Sequence, residues 1–496
     1  MTSIKKTLSL PMLVLIITTT IYSFSSMLTA FFMMGTKSLP WFLISALFYF
    51  IPYALIVAQY SKKYANQSGT IYDWLKDSLS PRAAFITAFL WYCSYFTWMV
   101  SLFMKLLIPL SILLFGQDLT ASITWFGLSE GFWLAIFSII GVLLLTWIIT
   151  SGFQTILSFL KISSVTMIGL IILSICGNVL LILKQPALFL FHLRQSAGAP
   201  SFFEGTTDQF WTQLPFFIFS ITAFGGLDTV ASLVDRTKNS RKQFPKGILL
   251  SGGLIVGLYF LGIVLWSGAN DLQFLRTTDQ MHLGNLMYGL MGALAQQLGT
   301  AFDLSPAYQE LLVQIFLRYT AFTLLTAYIG LLSSITYGPL KSLIKGTPQG
   351  LWSTKILQLN KHHMPVFAIW LQSTAIMCCI LFLSFNTPFV GDLFNQLTYM
   401  TNVSRAIPYF IVAISFPFFL QKQIVAKEDL FLRNNHVNRL LAFSVCLSIF
   451  IAIGFQIYEP FKLGNYLNTL TLVLGPILFG LFAKFVYQRF ERKQSI

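Results

Sequence analysis

The chain has 496 residues, 56% of them hydrophobic and 10% charged, where soluble proteins carry roughly 25% charged residues. A soluble fold of this length would need far more polar surface to cover its domains, and a mean hydropathy of +0.72 belongs to a membrane protein. The net charge of +15 does not mark a nucleic-acid partner, because the Lys and Arg residues fall in short clusters between apolar runs and form no basic groove.

A membrane-spanning helix needs about 20 apolar residues. Stretches of that length recur along the whole chain and predict an all-α membrane protein of about twelve spans, centred on roughly 10–34, 39–59, 83–113, 131–150, 156–183, 210–234, 246–267, 311–337, 364–384, 390–419, 437–457 and 466–488. The first is longer than a signal-peptide core and is followed at once by another span, so it reads as retained. Outer loops are expected near 184–209 and 268–310, with Leu286–Leu298 as a short surface helix. Residues 1–496 form one polytopic domain with no flexible linker. An inside N-terminus puts about 23 of the 32 Lys and Arg residues in cytoplasmic segments, about 5 outside and about 4 within spans, so both termini are expected in the cytoplasm.

Irregular backbone at membrane depth is tolerated where it lines a cavity. Two spans carry small polar residues at mid-depth: the first with Ser23, Phe24, Ser25 and Ser26, and the sixth with Phe224, Gly225, Gly226, Leu227 and Asp228. They stand five spans apart, so a repeat of spans one to five would return upside down as spans six to ten. Residues 10–183 and 210–419 are then inverted repeats, and 437–488 is an addition. Free N–H groups at such breaks suit a substrate carboxylate and free carbonyls an ammonium, a pattern that fits a zwitterionic amino acid. Asp228 is the one acidic residue expected deep in a span, which makes it a functional candidate in its own right.

The five cysteines (Cys93, Cys176, Cys378, Cys379 and Cys446) lie inside apolar stretches without metal-ligand spacing, so neither a metal site nor a cofactor is expected. An intramembrane aspartyl protease needs a second carboxylate at the depth of Asp228, and Asp73 and Asp235 both fall in cytoplasmic loops. No G-x-S-x-G or H-E-x-x-H motif occurs, and no filter-like Gly-Tyr-Gly supports a channel.

The chain resembles the amino acid–polyamine–organocation permease superfamily, and within it the glutamate:GABA antiporter branch of inner-membrane permeases. The resemblance rests on Ile51-Pro52-Tyr53-Ala54 leading to Ser68-Gly69-Thr70-Ile71-Tyr72-Asp73-Trp74, and on Ala223-Phe224-Gly225-Gly226-Leu227-Asp228 followed by Asp235-Arg236-Thr237 and Phe244-Pro245-Lys246-Gly247. Tyr337-Gly338-Pro339 and Gly346-Thr347-Pro348 extend it. It implies a five-plus-five inverted-repeat fold in a bacterial inner membrane, with an amino acid held between the unwound parts of spans one and six. It also implies exchange of the glutamate/GABA kind or, alternatively, proton-coupled symport of neutral or cationic amino acids. Two departures bear on the pocket: serines stand where the family commonly has glycines in span one, and Asp228 where it has Glu.

Thr155–Lys161 resembles the segment of proton-coupled relatives in which a lysine replaces a sodium ion, with Ser333 and Ser334 the hydroxyls expected to help if sodium is used. Two readings of Lys161 stand: a desolvated proton carrier, or a side chain that snorkels to the cytoplasmic interface. Arg405 is the candidate partner for a substrate carboxylate or for Asp228, while Arg318 and Lys105 are expected to snorkel outward. The excess of intramembrane cations favours an anionic substrate such as glutamate.

Overall fold

Lipid offers the backbone no hydrogen bonds, so an apolar run must close its own, and it does so as a helix. The computed structural model describes residues 9–64, 71–120, 122, 129–150, 153–199, 213–226, 237–277, 282–348, 350–362, 364–386, 390–422, 430, 434–462 and 464–494. Its elements are helices throughout. In chain order they are α1 (Leu10–Ile21), α2 (Phe24–Met34), α3 (Ser38–Ser45), α4 (Ile51–Lys63), α5 (Ile71–Lys76), α6 (Pro81–Lys105) and α7 (Leu107–Phe115). Then come α8 (Glu130–Thr150), α9 (Phe153–Lys184), α10 (Pro186–Gly198), α11 (Leu214–Thr222), α12 (Ser240–Ala269), α13 (Leu272–Thr277) and α14 (Leu286–Ala301). The rest are α15 (Pro306–Gly346), α16 (Thr354–Leu357), α17 (Val366–Asn386), α18 (Val390–Gln421), α19 (Asn435–Lys462) and α20 (Tyr466–Gln494).

Among the described residues, 10 stretches are long and apolar enough to cross a membrane, against about twelve expected. The difference has two sources. Phe24–Lys63 runs through a tight turn at Gly35–Lys37 and so holds half of the first expected span together with the second, and the sixth is described only as far as Gly226. Large apolar side chains stand outermost on the long helices, such as Trp147, Val165, Leu183 and Phe450, each more than 60% exposed. An apolar exterior of that extent calls for lipid.

Prolines decide where helices bend. Pro52 has no N–H and its ring crowds the carbonyl of residue i−4, which is Phe48. The turn before it widens to a π-helix over Ala46–Phe50, and the Phe48 carbonyl accepts instead from Ser444 Oγ of α19 at 2.7 Å. Pro109 acts likewise on the carbonyl of Lys105. The single span expected over 83–113 therefore divides at Leu106, and α6 ends on Lys105.

Small polar side chains tie the helices together at depth, as they do in membrane bundles generally. Ser45 and Ser220 share a 2.7 Å bond between α3 and α11, and Thr146 and Ser373 one of 2.7 Å between α8 and α17. Between α9 and α12, Trp266 Nε1 donates to Ser174 Oγ at 3.0 Å and Asn270 Nδ2 to Asn178 Oδ1 at 2.9 Å. The segments expected as loops near 184–209 and 268–310 contain helices. One carries α10, whose Ser196 Oγ accepts from Thr36 N at 3.1 Å and whose following Ala199 carbonyl accepts from Lys37 Nζ at 2.8 Å. The helix expected on the surface at Leu286–Leu298 is α14, and it is buried, with Leu290, Met291, Leu294 and Ala295 fully covered. Apolar residues surround its axis, so it packs against α9 and α15.

Ser444→Ala is expected to cost about 1 kcal/mol of stability in detergent, because the Phe48 carbonyl loses its donor. In a Pro52→Ala background, where an intrahelical N–H returns, the same change should cost close to nothing. Denaturant unfolding of the four proteins in this double-mutant cycle measures the coupling.

Candidate functional site

Both helix breaks expected from the sequence carry irregular backbone. In the first, α1 closes with Tyr22 N donating to Thr18 O at 2.9 Å, and Tyr22 and Ser23 are extended, with ψ of 127° and 114°. Ser23 then caps α2, its Oγ accepting from Ser26 N at 3.2 Å. In the second, α11 ends at Thr222, turns through Ala223 and Phe224, and reaches Gly226 at φ +101°. A side chain is strained in that conformation, so Gly226 is the residue type the break requires. Gly225 is needed for a different reason: a Cβ there would overlap the Arg405 guanidinium.

One side chain spans the two breaks. Tyr259 of α12, fully buried, accepts from Ser23 N at 3.4 Å and donates to Ala223 O at 3.2 Å. Each break thereby gains a partner for a backbone group that a continuous helix would have satisfied itself. The ring is fixed by Phe42, stacked at 4.2 Å, by Tyr22 at 5.1 Å and by Phe224 edge-on at 6.0 Å. A further tie fixes the second break to α18, where Thr222 Oγ1 donates to Asn402 Oδ1 at 3.2 Å.

Between the breaks lies a cavity of about 310 Å³, within the size range of small-molecule sites. Ser23, Ser25, Ser26 and Thr29 line one side of it, and Phe219, Thr222 and Ala223 another. Three long helices complete the wall with stripes of the same spacing: Trp98, Ser101, Leu102 and Lys105 on α6; Leu324, Ala327, Tyr328 and Leu331 on α15; Thr398, Thr401, Asn402 and Arg405 on α18. Positions i, i+3, i+4 and i+7 share one helix face. Leu283, Gly284, Leu286 and Met287 bound the cavity from the outer connection.

Two cations face this space. The Arg405 guanidinium lies 4.7 Å from the centre of the Trp98 ring and against Gly225, an arrangement that supports a charge at low solvation. Lys105 Nζ donates to Thr398 Oγ1 at 2.9 Å, and its place at the carbonyl end of α6 favours an ammonium. Beside it in the outer connection, His282 stacks on Phe394 at 5.2 Å and takes a bond from Gly284 N at Nδ1. Burial lowers the His282 pKa to about 4, Asp118 opposing and Lys105 adding to the shift, so the ring is neutral at physiological pH.

The residues singled out from the sequence divide accordingly. Ser23, Ser25, Ser26 and Arg405 line the cavity, whereas Phe24 and Phe224 are buried without lining it. Gly225 and Gly226 form the second break, and Asp228 lies outside the described residues, as do Ser68–Thr70 and Leu227–Arg236. Ser333 and Ser334 are not among the lining residues, and Ser333 Oγ donates back to Ile329 O at 2.7 Å. Lys161 is exposed in α9 and is not among the residues that line the cavity. Arg318 is exposed and donates to Leu113 O at 2.8 Å, but Lys105, expected to reach outward, points inward. Tyr259, Trp98, Thr398 and Asn402 were not anticipated. The i, i+3, i+4, i+7 spacing of polar residues inside apolar spans is the signal that would have found the last two.

Residues 8–482 match the family described as Amino acid permease. The chain is 34% identical to the Inner membrane transporter YjeM of Salmonella typhimurium over 504 aligned residues, covering 100% of this chain and 98% of that protein. It is 27% identical to the Aspartate/glutamate permease AcaP of Lactococcus lactis subsp. cremoris, over 68% of this chain and 72% of that one. With the Glutamate/gamma-aminobutyrate antiporter of the same organism it shares 22% identity, over 75% and 66%.

Tyr259→Phe keeps the ring contacts and removes the shared hydroxyl. Leaving Ser23 N–H and Ala223 O without it is expected to lower stability by about 1 to 3 kcal/mol and to depress transport, while the protein still inserts. Unfolding in micelles together with uptake into vesicles measures both.

Proposed function

Because the chain belongs to the amino acid permease family and transports amino acids, we propose that it exchanges an acidic amino acid of the glutamate/GABA kind by alternating access. The observation that carries this reading is the cavity between two helix breaks with two cations facing it. The free N–H groups at the start of α2, with the Ser25 and Ser26 hydroxyls, take the substrate α-carboxylate. The carbonyl end of α11 takes the α-ammonium. Arg405, at the level of the second break, provides positive charge that is screened less than at the surface, and Asp228 balances it as the cavity changes access. The names of AcaP and of the Lactococcus antiporter, both of which carry glutamate, support an acidic substrate.

The inverted repeats 10–183 and 210–419 move against each other about this site, with 437–488 outside the repeat. Both termini lie on the cytoplasmic side of a bacterial inner membrane, in keeping with the distribution of Lys and Arg. Exchange needs no dedicated coupling cation, and the exposure of Lys161 favours its interfacial reading over a proton-carrying one.

Uptake of labelled glutamate into proteoliposomes tests the mode of transport. Preloading with glutamate or GABA should accelerate uptake several-fold, and a proton ionophore should leave it unchanged. Uptake that collapses when the pH gradient is removed would replace exchange with symport.

A further inference from the structure

We propose that Lys105, with Thr398, forms a second anion subsite that holds the side-chain carboxylate of the substrate and so makes the cavity selective for amino acids with an acidic side chain of about glutamate length. The inference rests on the transport reading above and adds a specificity residue to it.

The register between α6 and α18 sets two cationic levels on one wall. Trp98 meets Arg405 and Lys105 meets Thr398, so the helices run antiparallel here, and seven residues separate the two pairs along each helix. Seven residues of α-helix rise roughly 10.5 Å. A dicarboxylate with four C–C bonds between its carboxyl carbons spans about 5 Å, and a charge-assisted hydrogen bond adds about 2.8 Å at each end. A substrate anchored at the breaks beside Arg405 therefore reaches toward the Lys105 level with a glutamate side chain.

Lys105 is available for this role. An ammonium carries three N–H donors, and among the described residues its hydrogen-bond partner is Thr398, whose own hydroxyl donates to Phe394 O. Among the described residues, Asp118 is engaged elsewhere: Oδ1 accepts from Thr120 N and Oγ1, and Oδ2 from Asn285 Nδ2 at 3.3 Å. His282 next to it presents a neutral ring. A cation at this depth facing a cavity is costly until an anion enters, and an acidic side chain is that anion. Pro109 crowds the Lys105 carbonyl, and α6 ends on Lys105.

Uptake of labelled L-glutamate and of its neutral isostere L-glutamine, measured in parallel in proteoliposomes, tests the subsite. Wild type should favour glutamate over glutamine by about tenfold or more. Lys105→Met should erase most of that ratio, and Lys105→Arg, which keeps the charge, should retain it within about threefold. The wild-type ratio stands as evidence even if Lys105→Met fails to insert. Equal uptake of the two amino acids by wild type, or an unchanged ratio in Lys105→Met, overturns the subsite and leaves amino-acid transport intact. Failure of wild type to take up any amino acid overturns the transport reading and the subsite together.

Discussion

Within a bilayer, a backbone polar group that loses its helical partner must find another, and each failure costs several kcal/mol. That constraint organises the centre of this molecule. A pair of broken helices can exist at mid-depth only if the groups they release are satisfied, and here a single hydroxyl from α12 serves both, binding Ser23 N on one side and Ala223 O on the other. The arrangement couples the breaks: Ser23 and Ala223 are held through the same oxygen, so a displacement of one is felt by the other. The cavity proposed to bind substrate lies between these two breaks.

The same logic explains the other irregularities. Pro52 frees the Phe48 carbonyl and Ser444 captures it, which joins α19 to the turn before α4. Pro109 divides the third span and leaves a lysine at the resulting helix end, on the cavity wall. Gly225 is bare because Arg405 lies against it, and Gly226 because the chain turns there at positive φ.

Much of this was legible in the amino-acid order, and the part that was not has a physical reason. Hydropathy locates spans well because a helix must be apolar along about 30 Å, and the breaks announce themselves as Ser-Phe-Ser-Ser and Gly-Gly-Leu-Asp inside apolar runs. The direction in which a helix faces is poorly encoded when both its neighbours and the lipid are apolar. Lys105 therefore read as a residue reaching for the outer surface although it points into the cavity, and α14 read as a surface helix although it is buried among α9 and α15. Tyr259 could not be told from the other 18 tyrosines of the chain, since what distinguishes it is the juxtaposition of Ser23 and Ala223, more than 200 and 36 residues away. Of the four basic residues expected within spans, Lys161 and Arg318 are exposed, and Lys105 and Arg405 line the cavity.

The central claim is that the two helix breaks and the cavity between them are where the substrate binds. A structure of the purified protein with L-glutamate tests it most directly. Density for the amino acid should bridge Ser23–Ser26 on one side and the Ala223–Gly226 turn on the other, within hydrogen-bond distance of both. Glutamate bound elsewhere in the protein, with the cavity between the breaks unchanged from the ligand-free state, would contradict it.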